Sequence, residues 1–101
     1  MKILLVCNAG MSTGIMQLKL EEYAKEQGMD ASIEAMPISE IEQNIEGVNA
    51  ILLGPQVRFA EKDIIKMVNN SIPVFSIEVQ DFGLMRADNV WNKLMSYMNK
   101  K

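Results

Sequence analysis

Residues 2–16 read KILLVCNAGMSTGIM. An apolar run containing the β-branched Ile3 and Val6 meets the chain's only cysteine, Cys7, and passes into small residues that include Gly10 and Gly14. Beyond them Met16, Leu20, Tyr23 and Ala24 recur at the spacing of one helical face, and Gly28 supplies a stop after Gln27. The stretch is therefore a strand, a loop and a helix that begins near Ser12 or Thr13. Cys7 ends the strand, and the loop leads to a helix N-terminus, where backbone N–H groups and the helix dipole favour an anion.

The same alternation continues along the chain. Apolar runs at 32–36, 50–53 and 73–77 read as strands beside the first at 3–7. Ile38, Ile41, Ile45 and Val48 mark a short helix closed by Gly47, with Ser39 and Glu42 in the S-x-x-E pattern of a capping box. Ala60, Ile64, Met67 and Val68 mark a third helix, stopped by the turn sequence NNSIP at 69–73. After the loop EVQDFGLMRAD at 78–88 comes a last helix, with Asp88 as its N-cap and Trp91, Leu94, Met95 and Met98 as its buried stripe. Strands that alternate with helices need crossover connections, which are right-handed almost without exception. The expected fold is α/β: a single open four-stranded parallel sheet, order 2-1-3-4, with helices on both faces and one domain over residues 1–101. Such a sheet reverses its winding between strands 1 and 3, so ligands belong beyond their carboxyl ends, at residues 7–14 and 54–59.

Composition narrows the chemistry. Ten basic and 13 acidic residues give a net charge of −3, which argues against binding nucleic acid or inserting directly into a membrane, so any phosphate site must be local. A single cysteine, with no secretory or membrane-spanning segment, points to a reducing cytoplasm. Histidine is absent, which removes a Cys-His pair, a catalytic His base and an ordinary zinc site. No metal and no cofactor is expected. Most of the nine methionines read as adaptable core filling.

The lone thiol then carries the argument. Small residues in NAGMSTG let successive amides turn inward as a nest at the start of a helix, which holds phosphate oxygens and favours the nucleophilic thiolate. Tyrosine-phosphatase loops place an arginine six positions after the cysteine to clamp the phosphoryl group. Here that position is Thr13, so attack by water has little electrostatic help and a phosphocysteine should persist long enough to be passed on.

LLVCNAGMSTG, followed by LLGPQVRF and then PVFSIEVQDFG, resembles the IIB component of the bacterial phosphoenolpyruvate-dependent sugar phosphotransferase system, lactose/cellobiose type, over essentially the whole chain. The resemblance implies a flavodoxin-like fold, similar to low-molecular-weight tyrosine phosphatases. It implies that Cys7 receives a phosphoryl group from a phosphohistidine of the IIA component and transfers it to a sugar bound by the membrane IIC component. The protein would then be cytoplasmic and meet the inner face of the membrane transiently, through IIC. Carried over by position, Asn8, Ala9, Gly10, Met11, Ser12, Thr13 and Gly14 form the phosphate-binding loop, with Ser12 and Thr13 adding hydroxyl donors. Three positions depart from the family pattern: Phe59 and Phe82 stand where tyrosine is common, and Arg58 is a cation the family does not require.

Met11, Val57, Arg58, Phe59, Phe82 and Met85 belong to segments expected at the carboxyl end of the sheet and form a candidate docking rim. Cellobiose, lactose, chitobiose and aromatic β-glucosides all remain open as the sugar. Two other readings stand beside this one: a phosphatase-like hydrolase using Asp81 as general acid, and a non-catalytic module that binds phosphate or a phosphoprotein. Thiol redox chemistry lacks a C-x-x-C partner.

Overall fold

A computed structural model of the chain describes residues 1–7, 11–69 and 71–98, with the backbone alone at 11–13. Four strands, β1 (Lys2–Val6), β2 (Ser32–Met36), β3 (Ala50–Leu53) and β4 (Val74–Ser76), form a parallel sheet in the order β2-β1-β3-β4. This is the expected order. Between them run α1 (Met11–Glu26), α2 (Ile41–Asn44) and α3 (Glu61–Met67), and β4 is followed by α4 (Val79–Gly83) and α5 (Ala87–Met98).

Strand alternation explains the two faces. Ile3, Leu5, Ala50 and Leu52 pack with Met16, Leu20 and Ala24 of α1, Phe82 of α4, and Val90, Trp91 and Leu94 of α5. Leu4, Val6, Ile51 and Leu53 point the other way, onto Ile41, Val57, Ala60, Ile64 and Val68. Successive strand side chains alternate sides, so a central strand covered on both faces needs an unbroken apolar run. That requirement is why Ile3 to Val6 are all completely buried. Edge strand β2 buries only Ile33 and Met36 and turns Glu34 outward, a charge that discourages pairing along its open edge.

Several local details differ from expectation. Helix α1 opens at Met11 rather than at Ser12 or Thr13, and ends before Gly28, whose φ of +76° gives the left-handed stop. The Ser39–Glu42 capping box does not form: Pro37 starts a 3₁₀ turn, Ile38–Glu40, with no side-chain cap, and the α-helix begins only at Ile41. Along α3 and its two capping residues the inward face is Ala60, Ile64 and Val68, whereas Met67 is exposed. Residues 79–83, expected as loop, form α4. Asp88 lies inside the first turn of α5 instead of capping it and pairs with Arg86 at 3.3 Å, which holds its carboxyl below the usual range. Strands β1 and β4 are shorter than the apolar runs by a residue at Cys7, Pro73 and Ile77, although Cys7 N–H still donates to Met36 O at 3.1 Å and Ile77 N–H to Leu53 O at 2.8 Å.

Candidate active site

Register brings three strand ends together. Val6 lies beside Leu53, and Leu53 beside Ser76, so the next residues, Cys7, Gly54 and Ile77, sit abreast at the carboxyl edge of the sheet. Gly54 N–H donates to Val6 O at 2.8 Å, extending the ladder to the switch between β1 and β3. The expected location of Cys7, at the end of the central strand where the winding reverses, is what the structure has.

Cys7 is 4% exposed, and its thiol donates to Gln56 Oε1 at 3.8 Å. Gln56 belongs to the 3₁₀ turn Pro55–Ala60, which extended Gly54 precedes and buried Val57 anchors, with Val57 N–H donating to Gly54 O at 3.0 Å. Proline fixes the entry to that turn. A Cβ on Gly54 would stand 2.9 Å from Gln56 Oε1 and 3.5 Å from the Cβ of Cys7. Gly54 is therefore the bare position over which the glutamine side chain folds back to the thiol. Gln56 carries no charge and no periodicity, and in the sequence only its place behind G-P at the end of β3 could point to it.

Asn8, Ala9 and Gly10 lie outside the described residues, as do the side chains of Met11, Ser12 and Thr13. The backbone of residues 11–14 forms the first turn of α1, and a Cβ on Gly14 would meet none of the described residues within 4 Å. None of those residues packs closely enough to require a glycine at this helical position.

The candidate rim divides. Phe59 is 76% exposed and Arg58 is exposed, whereas Val57 and Phe82 are buried, each in one of the two cores, and Met85 is half-buried against the core that holds Phe82. Val57 and Phe82 therefore serve packing and leave the rim. Each is the inward side chain of a short helical turn, a geometry hidden while those residues are taken as loop. Val79 at the start of α4 is exposed, and no periodicity or motif in the sequence marks it. With Arg58, Ser76, Ile77, Glu78 and Gln80 it lines a cleft of about 330 Å³ beyond the ends of β3 and β4. Ser76 Oγ donates to the Glu61 carboxylate and ties the cleft floor to α3.

Asp81, the acid that a hydrolase would need, is buried in α4. It accepts from Lys93 Nζ at 2.9 Å and from Asn89 Nδ2 at 3.3 Å. The ammonium of Lys93 holds its carboxyl below the usual range, ahead of the opposing effect of burial. A carboxylate so held has no proton to give near neutrality, and its role is to join α4 to α5.

The family model of the lactose/cellobiose-specific IIB subunits of the PTS system matches residues 2–93. This chain belongs to that family. The IIB chain is 35% identical over 103 residues to the galactose-specific EIIB component of Lactococcus lactis subsp. cremoris, covering 96% of this chain and 95% of the relative. It is 31% identical over 98 residues to the oligo-beta-mannoside-specific EIIB component of Bacillus subtilis, with the same coverage, 96% and 95%. Among solved structures it is similar to the cellobiose-specific phosphotransferase IIB component of Borrelia burgdorferi, with a TM-score of 0.79 at 34% identity, covering 100% of this chain and 94% of that one. The lactose-specific IIB domain of Streptococcus pneumoniae, at 12% identity, shares the fold with a TM-score of 0.84 over 96% of both chains. IIB components are sugar phosphotransferase subunits, and no helix among the described residues is long and apolar enough to cross a membrane.

Proposed function

We propose that Cys7 is the phosphoryl carrier of this IIB chain, accepting from a phosphohistidine of the IIA component and donating to a sugar hydroxyl presented by the membrane IIC component. In the first step the P–N bond breaks as the S–P bond forms, and the thiol proton passes to the imidazole. In the second the S–P bond breaks as an O–P bond forms, and the proton of the sugar hydroxyl returns to the sulfur. The observation that carries this reading is the position of the chain's one thiol, at the carboxyl end of the central strand where the sheet winding reverses, with α1 opening at Met11. Residues 8–14 are the loop proposed to hold the phosphoryl oxygens through backbone amides, helped by the Ser12 and Thr13 hydroxyls. Exposed Phe59 and Val79, with Arg58, form the surface proposed to meet both partners at the cytoplasmic face of the membrane. The whole of residues 1–101 acts as one carrier domain.

Relatives named for galactose, cellobiose and oligo-beta-mannosides leave the sugar open. A chase experiment tests transfer against hydrolysis. Protein charged by the IIA component should keep its phosphoryl group in buffer and lose it rapidly to IIC membranes supplied with sugar. Equal loss with and without sugar would make the protein a hydrolase instead.

A further inference from the structure

We infer that Gln56 is a reversible cover on Cys7: its side-chain oxygen accepts from the resting thiol, and its amide turns over to donate both N–H groups to the phosphoryl oxygens once the sulfur is modified. The second half rests on the phosphocysteine reading above; the first does not.

Three observations converge on the residue. Gln56 Oε1 lies 3.8 Å from Cys7 Sγ, although Gln56 is exposed as a whole and Cys7 is buried. The side chain has room to reach back only because position 54 lacks a Cβ, which would stand 2.9 Å from that oxygen. Its backbone is mounted on a turn held by Pro55 and by buried Val57, so the side chain can change while the mount stays still. Among neutral side chains only an amide carries an acceptor and two donors at one tip. The terminal torsion of glutamine is broad and roughly two-fold, so a half-turn exchanges them with no movement of the backbone. Phosphorylation removes the thiol hydrogen and puts anionic oxygens where it pointed. A carbonyl facing them is repelled, and the turned amide meets them with charge-assisted hydrogen bonds.

Two variants and three readouts test the inference. In unmodified protein, where Cys7 is the sole thiol, Gln56→Ala should speed alkylation by iodoacetamide about five- to tenfold, the equivalent of one neutral hydrogen bond. After charging with a phosphohistidine-bearing IIA component, Gln56→Ala should lower the phosphorylated fraction at a fixed donor ratio by roughly tenfold or more, the equivalent of one hydrogen bond to a charged group. Gln56→Glu, equal in shape but anionic and able only to accept, should lower it further. In wild-type spectra the Gln56 side-chain amide resonances should move on phosphorylation while those of Gln27, at the far end of α1, stay. A purely structural role would instead leave Glu closer to wild type than Ala. Alkylation of Gln56→Ala at the wild-type rate overturns the cover, and a larger phosphorylated fraction in Gln56→Glu than in Gln56→Ala overturns the donor role. Wild type that takes up no phosphoryl group overturns the carrier reading and the donor role with it, and the alkylation rates still decide the cover.

Discussion

Gly54→Ala separates the fold from the function of the carboxyl edge. Gly54 has φ −63° and ψ 155°, an extended conformation that alanine adopts freely and that the following proline favours. Two of the three nearest atoms to a new Cβ, on Cys7 and Val6, are at an ordinary 3.5 Å. Only Gln56 Oε1, at 2.9 Å, must give way, and it is the tip of a flexible side chain. Moving the glutamine aside gives up its hydrogen bond to Cys7, about 0.5–1.5 kcal/mol. Alanine's smaller unfolded-state entropy returns about 0.4–1 kcal/mol. Net stability should therefore change by less than about 1 kcal/mol, and the melting temperature by no more than about 4–8 °C for a domain of this size. The thiol, in contrast, should lose its cover. Alkylation of Cys7 in Gly54→Ala should rise to the rate of Gln56→Ala, and the double variant should react no faster than either single one, because both remove the same contact. Thermal melts and iodoacetamide kinetics on the four proteins measure this. Additive rates in the double variant, or a loss of several kcal/mol in Gly54→Ala, would refute the packing argument.

Three further outcomes follow from the same structure. Asp81 has its carboxyl lowered chiefly by Lys93, so its contribution is present above the ordinary carboxylate pKa of about 3.9 and is lost as pH falls through the lower folded value; urea midpoints of Asp81→Asn and wild type should differ at pH 7 and converge toward pH 3. Trp91, 2% exposed in the core between the sheet, α1 and α5, should cost about 3–5 kcal/mol when changed to Ala, read as a lower urea midpoint at an unchanged slope. Phe59→Ser should leave stability within about 0.5 kcal/mol, because Phe59 is 76% exposed, yet slow phosphoryl transfer from IIA by raising the apparent KM.

Sheet order and the place of Cys7 are legible in the sequence because both rest on long-range rules that short apolar runs obey. Ile3 to Val6 can be continuous only in a strand covered on both sides, and a crossover between parallel strands has one hand. Short helical turns are less legible. EVQDFG carries glycine and acidic residues that read as loop, yet burial of Phe82 and the ion pair from Asp81 to Lys93 draw it into α4. Val57 escapes for a related reason: its backbone, at φ −121° and ψ 17°, breaks the helical turn around it and turns the side chain inward. Ser39 and Glu42 carry a capping box that Pro37 pre-empts by starting the turn earlier. Gln56 is hardest to foresee, since its contact with Cys7 depends on strand register and on a missing Cβ at Gly54, and neither leaves a mark in composition or periodicity.

Peptide mapping after charging decides whether Cys7 carries the phosphoryl group. Wild type and Cys7→Ser are incubated with a phosphoenolpyruvate-charged IIA component, and the phosphorylated peptide is located by mass spectrometry under conditions that preserve a thiophosphate ester. One modification is expected, on Cys7, in wild type, and none in a Cys7→Ser protein that melts like wild type. A phosphoryl group on any other residue, or one that persists in Cys7→Ser, would contradict this expectation.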